Sequence, residues 1–270
     1  MALMSSDQAV PTATGTRPTG SDTRLPVLRL ANVRTRLGTT VALSTLSLSV
    51  ESGQVVGVVG PDGVGKSTLF NTVCGFVRPE AGEITWRGAA LRPRPHRLTT
   101  MGVARTLQGV GLYGGLTVLE NVLVGSPGVP RVPAVPAGRQ AGIGVALFGA
   151  TRFRVQGPAL RELARDHLSR LGAAEYADAD LAAVPASLHG RVVLARALLA
   201  GPELLLLDDP AVGMGAATAA ALAGLVRDLP SGSPNAVLLA TADFEFAQRA
   251  CDQVLQLDGE PSDAAGGHGH

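Results

Sequence analysis

The sequence predicts an α/β fold built on a central, mostly parallel sheet, and two stretches predict it. Residues 55–59 form a short, valine-rich apolar run that reads as a buried strand; the run breaks at Gly60 and resumes as a helix from about Lys66. Between them stands Gly60-Pro61-Asp62-Gly63-Val64-Gly65-Lys66-Ser67-Thr68, which fills the phosphate-loop pattern Gly-x-x-x-x-Gly-Lys-Ser in the strand-to-helix context the pattern requires. The second stretch is Glu203, four leucines, then Asp208-Asp209. Consecutive leucines cannot alternate between core and water, so this is a strand buried on both faces, as in a parallel sheet. A carboxylate at its C-terminal end lies on the edge where open α/β sheets bind ligands.

The loop's residue types suit an anion. Glycines let successive backbone N–H groups turn inward where a side chain would block the approach. The helix that follows directs its positive end at the same phosphates. Lys66 would reach the outer phosphates of a nucleotide, the Ser67 hydroxyl would take a place on Mg2+, and Asp208 would hold Mg2+ through water. Lys66 is also the only lysine among 23 lysine and arginine residues. A bias toward arginine thus has its one exception where a compact point charge is needed instead of a planar fork.

Composition bounds the rest. The 270 residues are enough for one domain of about 230 residues or two small ones. A 46% hydrophobic content built on Ala, Val and Leu supplies a core with few aromatics. A formal charge of +1 offers no basic field, so no nucleic-acid partner is expected. Cys74 and Cys251 lie far apart and read as small buried thiols in a reducing compartment. No apolar run has the length of a secretion signal or a membrane span, so the chain is expected in the cytosol unless a partner holds it at a membrane.

In chain order, residues 1–25 are rich in Ser, Thr, Pro and Gly and are expected to be disordered. Strand patterns follow at Leu28, Leu30 and Val33, then at Leu46, Leu48 and Val50. Residues 51–54 read as a turn into the phosphate-loop strand, whose helix should end near Gly75. Another turn at 79–82 leads to a strand at 83–87, and 92–97 is a stiff basic connection. Residues 102–108 are extended and end in Gln108. Residues 116–124 suit a helix with Thr117 at its N-cap and Glu120 three residues on. The Gly- and Pro-crowded segment 125–150 reads as a loop or insertion, and 158–172 as an amphipathic helix. A helix through Arg191 to Leu199 stops at Gly201-Pro202. After the leucine strand come a helix at 216–229, a strand at 236–241, a short helix, a strand at 253–257 and a loose tail over 261–270.

Taken together, these residues resemble the nucleotide-binding subunit of ABC transporters, specifically of the importers of branched-chain amino acids. The resemblance covers about residues 27–260 and rests on the phosphate loop through Asn71, Pro95-His96-Arg97 with Gly102-Val103-Ala104-Arg105-Thr106-Leu107-Gln108, and Leu116 to Gly125. Residues 174–178 and 209–214 carry it further. It implies an ABC ATPase fold over 26–260, with an antiparallel β subdomain and a helical subdomain at about 110–200. It also implies ATP and Mg2+ as cofactors, a head-to-tail pairing with a second ATP-binding subunit, and permease subunits in the membrane. By position, Gln108 would be the residue that senses the γ-phosphate and Mg2+ and touches the permease. Asp209 would be the catalytic base, Leu37 would cover the adenine ring, and 212–215 would cross the dimer interface.

The same alignment marks departures. The family's Ser-Gly-Gly signature corresponds to Val184-Pro185-Ala186-Ser187-Leu188, where Pro185 has neither hydroxyl nor N–H to offer a phosphate and both glycines carry side chains. The catalytic glutamate is the shorter Asp209, the switch histidine is Ala242, and the adenine-stacking aromatic is Leu37. The resemblance therefore implies an intact grip on Mg-ATP and slow hydrolysis driving solute uptake. The alternative is an impaired pseudo-ATPase serving as a regulatory or structural partner of an active subunit.

Overall fold

A computed structural model of the chain describes residues 25–38, 40–91, 93–106, 111–126, 158–231 and 236–257. Gln108, the proposed insertion beyond residue 126, most of the N-terminal segment and the 261–270 tail lie outside the described residues. Five parallel strands form the central sheet. They are β3 (Gln54–Val59), β6 (Val103–Arg105), β7 (Leu204–Asp208), β8 (Ala236–Thr241) and β9 (Gln253–Gln256), in the spatial order β6-β7-β8-β3-β9.

The four leucines of β7 show why the sheet lies in the middle of three layers. All are at most 1% exposed. Leu205 and Leu207 join one core with Val55, Val59, Val237 and Leu239, whereas Leu204 and Leu206 join the other with Val56, Val58 and Leu238. A strand side chain alternates faces with a period of two, so a strand can be apolar throughout only if both faces are covered. Each fully buried leucine contributes about 1.5–3 kcal/mol relative to an exposed one.

The first core is covered by helices α2 (Val118–Leu123), α3 (Pro158–Arg170), α4 (His189–Leu198), α5 (Ala216–Asp228) and α6 (Phe244–Ala250). The second is closed by α1 (Lys66–Val73) and an antiparallel sheet of β1 (Leu28–Leu37), β2 (Thr40–Val50), β4 (Ala81–Trp86) and β5 (Ala89–Ala90), ordered β2-β1-β4-β5. In β1 the burial alternates, with Leu28, Leu30 and Val33 inward. The turn expected at 79–82 is shorter than its composition suggests. Ala81 already pairs with Arg34 and Glu80 N donates to Arg34 O at 2.8 Å, so the strand starts two residues early. Gly82 sits at φ +86°, where a Cβ would strike the Asn32 carbonyl.

Helix α2 begins as its sequence requires. Glu120 N donates to Thr117 Oγ1 at 3.2 Å while Thr117 N donates to Glu120 Oε2 at 2.9 Å, a reciprocal capping box. The fully buried Asn121 then ties down the preceding segment. Its Oδ1 accepts from Tyr113 N at 2.7 Å, and its Nδ2 lies 3.0–3.3 Å from the carbonyls of Thr117, Tyr113 and Leu116. Cys74 and Cys251 are both buried and free. Burial raises both thiols, Cys251 to about 12, so neither is a thiolate at neutral pH.

Candidate nucleotide site

Strand order brings the site together. β8 lies between β7 and β3, so the residues after β8 stand between the Asp208-Asp209 pair and the glycine loop. Backbone bonds lock the three strand ends: Asp209 N donates to Ala240 O at 2.8 Å, and Gly60 N to Thr241 O at 3.3 Å. Residues 60, 208 and 242 thereby share the C-terminal edge of one sheet.

The loop has the shape an anion needs. Gly63 and Gly65 sit at φ +84° and +108°, in the left-handed region that favours glycine. Around a Cβ placed on Gly63 there is open space, whereas one on Gly65 would collide with the Ala42 carbonyl. A Cβ on Gly60 would lie 2.7 Å from Val64 Cγ1 and 2.9 Å from Leu257 O, so this glycine is needed for packing. The buried Lys66 side chain turns back into the loop: Nζ donates to Gly60 O at 2.7 Å, Pro61 O at 3.0 Å and Asp62 Oδ1 at 3.2 Å. Ser67 is exposed on the first turn of α1, with Thr68 buried behind it. Leu37, half exposed, is the last residue of β1.

Asp208, only 4% exposed, is held from two sides by β6. Its backbone N donates to Thr106 Oγ1 at 3.1 Å, and its Oδ2 accepts from Arg105 Nη2 at 2.7 Å. Arg105 also donates to Asn71 Oδ1 at 2.7 Å and lies over the Phe70 ring at 5.3 Å. The other carboxylate oxygen, Asp208 Oδ1, is buried without a hydrogen-bond partner among the described residues. An orphaned buried carboxylate oxygen beside a glycine cradle fits a hydrated divalent cation. The residues present therefore suit both the phosphates and the metal.

Residue types alone assigned Arg105 no role. The signal was available, since a charge in a short strand of a buried sheet must find a partner. Arg105→Met would strand the Asp208 carboxylate in the interior at a cost of about 3–5 kcal/mol. Chemical denaturation checks this. The double variant Arg105→Met/Asp208→Leu should regain most of the loss, because removing both partners leaves no unpaired charge. A loss below about 1 kcal/mol for the single variant would mean that water already screens the pair.

Asp209 adopts φ +42°, a left-handed conformation uncommon outside glycine but tolerated by aspartate. Its Oδ1 accepts from Ala242 N at 3.0 Å. The backbone of residue 242 therefore orients this carboxylate, and Ala242 contributes no side-chain polar group. Further along, Pro185, Ala186 and Ser187 are exposed and lead through a 3-10 turn (Ala186–Leu188) into α4. Leu188 stands at the N-cap of α4 without a side-chain hydrogen bond. A cavity of about 310 Å³ is lined by Asp208 and Asp209 together with residues that include His189, Val193, Leu207 and Met214. None of its lining residues belongs to the glycine loop, so it is distinct from the phosphate cradle.

Comparison with known proteins gives a consistent result. A family model described as ABC transporter matches residues 43–212. The high-affinity branched-chain amino acid transport ATP-binding protein LivG of Salmonella typhimurium is 30% identical over 234 residues, covering 86% of this chain and 88% of that protein. The phosphonates import ATP-binding protein PhnC of Frankia casuarinae is 32% identical over 241 residues, covering 86% and 87%. A nucleotide-free ATP-binding cassette from an ABC transporter superposes with a TM-score of 0.69 at 24% identity, covering 86% of this chain and 88% of its own, and supports the fold.

Proposed function

The chain belongs to the ABC transporter family as an ATP-binding subunit, and from this premise we propose that it binds Mg-ATP and hydrolyses it slowly to drive uptake of branched-chain amino acids or a similar small polar solute. The observation that carries the reading is the convergence of the glycine cradle, Lys66 and the orphaned Asp208 oxygen on one sheet edge. The amino-acid class rests on likeness to LivG, and the match to PhnC keeps other small solutes within the proposal.

Bound ATP supplies the phosphoanhydride, and Mg2+ neutralises phosphate charge. The remaining roles belong to this chain. Backbone N–H groups within residues 62–66 receive the phosphates, with Lys66 as their point charge. Ser67 and Asp208 would hold the metal, which would draw charge from the phosphates. Asp209 accepts the proton of the attacking water, and Leu37 covers adenine by apolar contact. Gln108, outside the described residues, links the site to permease subunits in the membrane. No described helix is long and apolar enough to cross a membrane, which suits attachment through such a partner. A second ATP-binding subunit, identical or not, completes each site head to tail.

A second reading, an impaired pseudo-ATPase that supports a more active subunit, is favoured by two observations. Asp209 is short and held by the Ala242 amide, and the loop ahead of α4 carries Pro185 at its start. Reconstitution tests the function. Vesicles containing the chain with a permease and a second ATP-binding subunit that associate with it should accumulate labelled leucine only when ATP is supplied. Uptake that survives Lys66→Ala would assign the driving force to the other subunit and favour the second reading. No association with any such permease would remove the transport role.

A further inference from the structure

We propose that Asp62 is a built-in counter-anion of Lys66 that weakens nucleotide binding and weakens it more for the more highly charged nucleotide. The inference rests on the nucleotide reading of the loop and goes beyond it, to how strongly the loop holds nucleotides of different charge.

An ammonium group has three donors. In Lys66 all three are used inside the loop, at 2.7 Å to Gly60 O, 3.0 Å to Pro61 O and 3.2 Å to Asp62 Oδ1. The first two acceptors are main-chain carbonyls fixed by the turn. The third ends a side chain that is 92% exposed, against 5% for Lys66. An arriving phosphate must therefore take the place of the Asp62 carboxylate.

Breaking that ion pair costs little, because an exposed partner in water is weakly held. The larger effect comes afterwards. Asp62 sits in the middle of the loop, four residues before Lys66, so its displaced carboxylate stays within a few ångströms of the phosphates. A like charge at that range, in a solvated site, weakens binding by about tenfold in total for the more highly charged nucleotide and by less for the other. The penalty grows with ligand charge, so ATP suffers more than ADP.

Asp62→Asn isolates the term, since it keeps the side chain's size and its Oδ1 acceptor and removes only the charge. Asp62→Ala repeats the test without the acceptor. Titration calorimetry of the purified full chain with ATP and with ADP, each with and without Mg2+, gives the dissociation constants directly. Asp62→Asn and Asp62→Ala should both tighten ATP by about tenfold and ADP by about threefold, with the gain shrinking toward unity near 0.5 M salt. Equal affinities of wild type and Asp62→Asn within a factor of two would overturn the proposal, as would equal gains for both nucleotides. If neither protein binds either nucleotide while both stay folded, the nucleotide reading itself fails and the proposal falls with it.

Discussion

Lys66→Ala is expected to abolish nucleotide binding, raising the dissociation constant for Mg-ATP by roughly a hundredfold or more. Charge-assisted hydrogen bonds contribute about 1.5–3 kcal/mol each, and loss of two to phosphate reaches that size. The lysine is buried in the cradle, so an anion reaches its ammonium by displacing only the exposed Asp62 carboxylate. No other residue can substitute, because the chain has no second lysine. The fold should survive, since the freed Pro61 carbonyl belongs to an exposed residue and the Gly60 carbonyl is the one buried acceptor left short of a donor. Calorimetric titration measures the binding, and an unchanged melting temperature separates lost affinity from lost structure. Tight binding by Lys66→Ala would remove this residue from the phosphate site.

Asp209→Asn should leave ATP binding within about threefold of wild type while hydrolysis falls roughly 10²–10⁴-fold, the usual range for loss of a general base. The substitution is clean for two structural reasons. Asparagine tolerates the left-handed conformation that residue 209 adopts. Its amide oxygen can also accept the Ala242 N–H bond that now ends on Asp209 Oδ1. Geometry is kept and the base is removed. Phosphate release from the assembled transporter, measured beside ATP affinity, separates the two effects. Hydrolysis unchanged by Asp209→Asn would assign proton abstraction to another group and favour the pseudo-ATPase reading of this chain.

Much of this architecture was legible in residue order because the signals were local. The glycine spacing of 60–65, the leucine run of β7 and the Thr117-to-Glu120 cap each state a backbone conformation within a few residues, and each appears in the structure. Strand pairing was less visible. The starting point of β4 depends on Arg34, far away in sequence, and turn residues could not reveal it.

Within the site the divide is the same. The glycine loop and the Asp208-Asp209 pair were singled out from spacing. The contacts that orient them join distant positions: Arg105 to Asp208, and Ala242 to Asp209. The second of these runs through a backbone N–H, which leaves no mark on residue type at all. Asp62 was counted among the loop residues, but its pairing with Lys66 needed the loop's actual path.

The central claim, that this glycine cradle holds a nucleotide triphosphate through one lysine, is tested most directly by equilibrium titration of the purified chain with Mg-ATP. The account predicts saturable binding in the micromolar range that vanishes in Lys66→Ala. A folded wild-type chain that takes up no Mg-ATP at millimolar concentration, alone or with its companion subunit, would contradict it.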